Sequence, residues 1–180
     1  MSLELHLAAP AELDASTLYR ILQLRVDVFV VEQHCPYREL DGRDLEPGTR
    51  WLWATDADTA TDANAGTGTG IEDGPVLATL RILREGRGTA RIGRVATAPQ
   101  ARTGGIATAL MRRALDVLDT QGWENTPVEI VLDAQTPLAG WYQRFGFEAS
   151  GPEFVEDGIS HLPMRRPPAS ADRRPDRSGT

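Results

Sequence analysis

The sequence predicts an α/β protein built on one mixed sheet, antiparallel in its first half and holding a parallel pair in its second. Three observations predict it. The runs 51–55, 76–83 and 90–98 are apolar, rich in β-forming residues and joined without helical periodicity, so they read as an antiparallel meander. The stretch 106–118 repeats apolar residues at Ile106, Leu110, Ala114 and Leu118, the spacing of one helix face. The apolar run VEIVLDA, 128–134, then follows that helix, and a strand reached through a helical crossover runs parallel to the one before it.

The elements follow in order. LELHL, 3–7, alternates as a short edge strand does, and Pro10 ends it. Leu18, Ile21, Leu22, Arg25, Val26, Phe29 and Val30 trace a helix, with Asp14 or Ser16 as its N-cap. That helix ends near Glu32, because a residue before proline, here Cys35 before Pro36, is pushed out of helical geometry. The loop 34–48 is polar and places Glu39, Asp41 and Asp44 close together. Three carboxylates can hold a cation or an amine, but spacing alone favours a solvated, turn-forming loop. Trp51 to Thr55 is a strand with both tryptophans on one face.

Composition shifts at 56–74, where Ala, Thr, Gly and Asp dominate. Such a segment buries too little apolar surface to offset its ordering entropy and reads as a flexible insert between two strands. After the turn Glu85–Gly88 and the strand 90–98 come Pro99 and the adjacent glycines Gly104 and Gly105, and Gly122 stops the helix that follows. Pro137 suits the first turn of another helix, which closes at Gly146. The chain continues through FEASG, a turn at 156–158 and the last strand SHLPMRR, in which Pro163 cannot donate to a ladder and calls for a bulge or irregular pairing. Residues 167–180, rich in Pro, Ser and Arg, are expected to be a disordered tail, leaving 1–166 as a single domain.

Bulk properties narrow the function. The chain of 180 residues carries a net charge of −7, which argues against nucleic acid as a partner. Its basic side chains are all arginine, which excludes a P-loop lysine and a Schiff-base lysine. The one cysteine, Cys35, excludes an internal disulfide and a cysteine-based metal cluster, and reads as a spectator thiol; no metal is expected. No run approaches the ~18 apolar residues of a membrane span and no signal sequence is evident, so a cytoplasmic protein with no membrane partner is expected. The strand, glycine turn and helix from Ala90 to Leu118 offer an anion site: Gly104 and Gly105 let a ligand reach the backbone, and the first helical turn presents unpaired N–H groups to phosphate.

The order of elements and three local segments resemble the GNAT (GCN5-related N-acetyltransferase) superfamily over about residues 3–166. Arg102-Thr103-Gly104-Gly105-Ile106-Ala107 is similar to the family's pyrophosphate loop. Arg94-Val95-Ala96-Thr97 is similar to the strand that carries the acetyl and pantetheine arm, and Trp141 to Phe147 to the family's aromatic–Tyr–x–x–Phe–Gly–Phe segment. The stretches 25–45 and 156–161 resemble more closely the ElaA-like branch, acyltransferases with mostly unassigned acceptors; Trp51 stands where a histidine is expected in that branch.

The resemblance implies a GNAT-like acyltransferase fold whose parallel pair splays at the cofactor site, and an acetyl-CoA-dependent N-acetyltransferase acting on a small-molecule or peptide amine. The diphosphate would lie on Arg102, Thr103, Gly104, Gly105, Ile106, Ala107 and Thr108, the acetyl arm on Val95, Ala96 and Thr97, and an amide contact would come from Gln135. Tyr142, by pattern a packed aromatic, becomes the acid that protonates the leaving thiolate. Glu32, at the end of the first helix, and His161, with a reference pKa of ~6.5, are the candidate bases. Two alternatives stay open: an acyl-homoserine-lactone-synthase-like enzyme, from a weaker likeness at Arg25-x-x-Val28-Phe29 with the acidic residues after it, and a non-catalytic coenzyme A-binding module. A homodimer is allowed by the sequence and not indicated by it.

Overall fold

A computed structural model describes residues 2–60, 75–123 and 126–168. The elements run β1 (Leu3–Ala8), α1 (Ala15–Arg25), β2 (Arg50–Asp56), the single turn α2 (Ala57–Ala60), β3 (Ala78–Glu85), β4 (Thr89–Thr97), α3 (Ile106–Thr120), β5 (Glu129–Gln135), α4 (Ala139–Gln143), β6 (Glu148–Ala149), β7 (Phe154–Glu156) and β8 (Ile159–Arg166). The strands form one sheet in the order β1–β2–β3–β4–β5–β8–β6, with β7 also on β8. The mixed sheet, the antiparallel first half and the edge position of β1 are as the sequence predicts. The insert expected to be loop throughout 56–74 instead opens with the helical turn α2, anchored where Asp56 accepts from the N–H of Asp58. The rest of that insert, 61–74, and the tail from 169 onward lie outside the described residues.

Asp14 is the N-cap of α1, accepting from the Thr17 N–H at 2.9 Å. The helix then widens into a π-type segment, Val26–Glu32, and stops where the sequence places its end. Ile21, Leu24 and Val28 from this helix join Ile106, Leu110, Met111, Ala114 and Leu118 of α3 in a core against Leu80, Ile82, Ile92 and Ile130 of the sheet. Residues 78–83 of β3 are all buried, as in a strand covered on both faces.

Two irregularities shape the sheet. The parallel strands β4 and β5 pair only from Thr89–Glu129 to Arg91–Val131 and then part, although both continue for several residues. On the far side, β8 pairs with β6 at Met164 and Arg165 and with β7 from Ile159 to His161. Pro163 sits in the gap between those two pairings, with its carbonyl accepting from the Ser150 N–H at 2.8 Å. In an antiparallel strand a residue's N–H and C=O point the same way, so the missing donor falls where no ladder runs.

The loop carrying Glu39, Asp41 and Asp44 corrects the sequence reading. It is not solvated: Glu39 and Asp44 are buried, and their partners are arginines of the chain itself. Arg25, at the end of α1 and fully buried, contacts Glu39 through Nε and Asp44 through Nη1, the latter at 2.8 Å. Arg81 of β3 reaches Asp44 at 2.6 Å and Asp41 at 2.8 Å. Trp51 lies under this network, with the Arg25 guanidinium 5.1 Å from its ring centroid, which gives the tryptophan in the second strand a physical role. Burial alone would raise the Asp41 carboxyl, but hydrogen bonds from Arg81 and the Arg43 N–H, with the charges of Arg81 and Arg94, hold it well below the usual carboxylate range.

Removing one member of a buried pair strands its partner's charge. Glu39→Ala is therefore expected to destabilise the protein by about 3 kcal/mol in urea unfolding, against the few tenths that a solvated loop residue would cost.

Candidate functional site

Where β4 and β5 part, a cleft of about 670 Å³ opens, walled by Gly93–Val95 of β4 and by Gln135, Tyr142 and His161. A second cavity of about 360 Å³ is lined by Thr97, Arg102, Thr103, Gly105 to Thr108, Trp141 and Arg144. The sequence candidates divide between the two. Val95, Gln135, Tyr142 and His161 line the first; Thr97, Arg102, Thr103, Gly105, Ile106, Ala107 and Thr108 line the second. Ala96 is buried between them in β4. Gly104 lies in the turn beside the second cavity without lining it, and Glu32 lines neither.

The second cavity has the features of an anion site. Thr103 and Gly105 both take left-handed backbone, with φ of 69° and 75°, which folds the turn back onto the start of α3. The first bond of the helix runs from the Ala109 N–H to the Gly105 carbonyl, so the N–H groups of Ile106, Ala107 and Thr108 have no partner within it. They sit at the positive end of a 15-residue helix. Arg144 brings an additional cation that the sequence reading missed; it lies one helical turn after Trp141, and that i, i+3 spacing was the available signal. Arg102 is turned toward Glu32, making two hydrogen bonds of 2.9 and 2.6 Å, while its Nε donates to the Thr97 carbonyl. The hydrogen bonds from Arg102 lower the Glu32 carboxyl below its ordinary value, which weakens it as a proton acceptor.

The wall of the larger cleft is a β-bulge. β4 pairs with β3 at Ala96–Thr79 and at Gly93–Arg81, so Arg94 and Val95 together face the single residue Leu80. Arg94 adopts φ of 53°, a left-handed conformation that costs a side-chain-bearing residue about 1–2 kcal/mol and that glycine would adopt freely. Its side chain is tied to the acidic loop. Nε lies 2.8 Å from Glu39, Nη2 lies 3.3 Å from Asp41, and the guanidinium sits 5.3 Å from the Tyr37 ring centroid.

Three polar side chains face the bulge across the cleft. Tyr142 is 6% exposed and packs edge-on against Trp141 and Phe147. Burial pushes its phenol up to about 12, so it stays protonated at neutral pH and keeps a proton to give. His161 stands opposite Gln135 in the β5–β8 pairing, stacks on Phe154, and places Nδ1 3.0 Å from the Ile159 carbonyl. A carbonyl only accepts, so that contact assigns the proton of the neutral ring to Nδ1 and leaves the lone pair on Nε2. Gln135 donates to Gln33 at 3.1 Å, joining β5 to the end of the first helix. Cys35 also lines the cleft but is 4% exposed, its thiol near the carbonyls of Gln33 and Asp157.

A family model described as "Acetyltransferase (GNAT) domain" matches residues 69–167. A UPF0039 protein of Mycobacterium tuberculosis is 41% identical over 167 residues, which span 91% of this chain and 93% of the relative. The chain belongs to the GNAT acetyltransferase family. Two GNAT-like structures align over nearly their whole length. The Acyl-CoA N-acyltransferase of Pseudomonas aeruginosa is 38% identical with a TM-score of 0.77, covering 92% of this chain and 99% of that one. Escherichia coli ElaA is 32% identical with a TM-score of 0.75, covering 91% and 99%. The fold and the ElaA resemblance read from the sequence are thus confirmed, and GNAT membership makes the chain an acyltransferase.

Gly105 offers a clean measure of the anion turn. A Cβ built there meets nothing within 4 Å, so only its φ of 75° opposes a side chain. Gly105→Ala is expected to lower the unfolding free energy by about 1–2 kcal/mol, read by denaturant titration.

Proposed function

We propose that this chain is an acetyl-CoA-dependent N-acetyltransferase acting on the amine of a small molecule or peptide. The observation that carries the proposal is the placement of a bulged, splayed strand between an anion-binding helix terminus and a buried, protonated tyrosine. A thioester donor that carries a diphosphate has a use for each of those three features. The printed name of the Pseudomonas relative, an acyl-CoA N-acyltransferase, supports the same donor and bond.

The diphosphate would be held by the N–H groups of Thr103 to Thr108, with charge from Arg102 and Arg144. The pantetheine arm would follow β4 from Thr97 to Val95, between the parted strands, with Gln135 on the opposite wall. A backbone N–H at the bulge would polarise the thioester carbonyl as it becomes an oxyanion. The amine nitrogen then attacks the carbonyl carbon, the C–S bond breaks, and the leaving sulfur takes the proton of the Tyr142 hydroxyl. His161 Nε2 would receive the proton lost by the amine, directly or through water. Its tautomer suits that role better than Glu32, whose carboxylate is engaged by Arg102. The carboxylates on which the lactone-synthase likeness rests are likewise engaged, by Arg25, Arg81 and Arg94.

Release of free thiol from acetyl-CoA against a panel of amines tests the proposal; no release with any amine would leave a coenzyme A-binding module as the better reading. Tyr142→Phe is expected to hold acetyl-CoA affinity within about twofold, by calorimetry, while turnover falls a hundredfold or more. Unchanged turnover would remove Tyr142 from the chemistry.

A further inference from the structure

We infer that the loop residues Tyr37, Glu39 and Asp41 act as a positioning clamp: by gripping the Arg94 side chain they hold the β4 bulge in the geometry that presents its backbone N–H to the thioester. The inference rests on the acyl-transfer reading of the cleft.

The argument begins with a mismatch. A left-handed bulge position is one that glycine fills without penalty, and Gly93 stands directly beside it, yet the residue in that conformation is Arg94. Its side chain does not escape to solvent. It turns back onto Glu39 and Asp41 and over the ring of Tyr37, three contacts from one short loop. Tyr37 in turn donates its hydroxyl to Glu39, and Glu39 is held from behind by Arg25 at the end of α1. Burial and that contact with Glu39 push the Tyr37 phenol well above its ordinary value, so it remains a donor.

The ladder pairs Gly93–Arg81 and Ala96–Thr79 fix the two ends of the bulge but not the peptides between them. Past Arg91, β4 has no pairing with β5, and Arg94 and Val95 fall in the break of the β3 register. With no ladder partner on either side, the two residues inside the bulge are free to turn their peptide groups. Relaxation would rotate the peptide groups at 94–95, which form the cleft wall. An oxyanion donor contributes only when it is fixed before the charge develops. The loop therefore supplies rigidity at the point where the proposed chemistry needs it, and Arg94 acts through the backbone rather than by touching substrate.

This makes Arg94→Ala and Arg94→Gly different in kind. Alanine loses the clamp and keeps the backbone penalty; glycine loses the clamp and the penalty together. Arg94→Ala is expected to lower kcat about tenfold or more with the KM for acetyl-CoA within twofold, and to speed amide hydrogen exchange across 93–96 in the free protein. Arg94→Gly should recover most of the kcat. A merely structural arginine would give the opposite order, with glycine no better than alanine, and that result would overturn the clamp. So would unchanged exchange at 93–96 in Arg94→Ala, a measurement that needs no substrate and stands whatever the wild-type activity. Absence of thiol release by the wild-type chain would instead strike the transferase reading, so the two failures are separable. Tyr37→Phe, which keeps the ring and removes the donor to Glu39, gives a folded intermediate: its kcat should fall between wild type and Arg94→Ala, and a value at or below Arg94→Ala would count against the clamp.

Discussion

The structure depends on a knot of charge. Arg25 from the first helix, Arg81 from the third strand and Arg94 from the fourth are drawn together by Glu39, Asp41 and Asp44 from one loop. Burying a guanidinium is costly unless carboxylates pair with it, and here the pairs close into a ring in which each arginine meets two carboxylates and each carboxylate two arginines. The result is that helix, sheet and cleft wall share a fixed reference point. Such a network supplies specificity of arrangement more than net stability, because apolar groups of the same shape could fill the space at similar free energy.

The second constraint is topological. A parallel pair joined through α3 must put the helix start and the strand end at the same edge of the sheet. Letting the two strands part there opens the interior without cutting the core, which is carried by the paired portion and by α1 and α3. The bulge and the glycine turn thus come from adjacent pieces of chain, and Tyr142 joins them from the short helix α4 that follows β5.

Much of this was legible in the sequence, for reasons that are local. The apolar spacing of Ile106, Leu110, Ala114 and Leu118, the glycines before them and the proline punctuation fix strand, turn and helix within a span of some thirty residues. At Pro163 the β5–β8 pairing runs through in register, and the irregularity that its missing donor calls for lies on the other side, between the β6 and β7 pairings. What the sequence did not disclose is long-range pairing of charge. Arg81 lies about forty residues from its carboxylates, and Arg102 seventy from Glu32. Nothing in the spacing of Glu39, Asp41 and Asp44 tells whether they meet water or arginine. A splayed or bulged strand over 94–97 was expected, but the residue that takes the positive φ was hidden, since Arg94 carries no local sign of it and the habit of looking for glycine at such places points one residue too early.

The break around Pro163 has a consequence for the molecule's outer margin. A long, regular border strand offers a continuous row of backbone donors and acceptors to any other chain that can lie alongside it. Here the margin beyond β8 is made of a two-residue piece and a three-residue piece, with a break between them opposite Leu162 and Pro163. A foreign strand would find its partners interrupted after every few residues. The shortness of β6 and β7 and the break between them, opposite the proline, therefore limit unwanted extension at that border of the sheet.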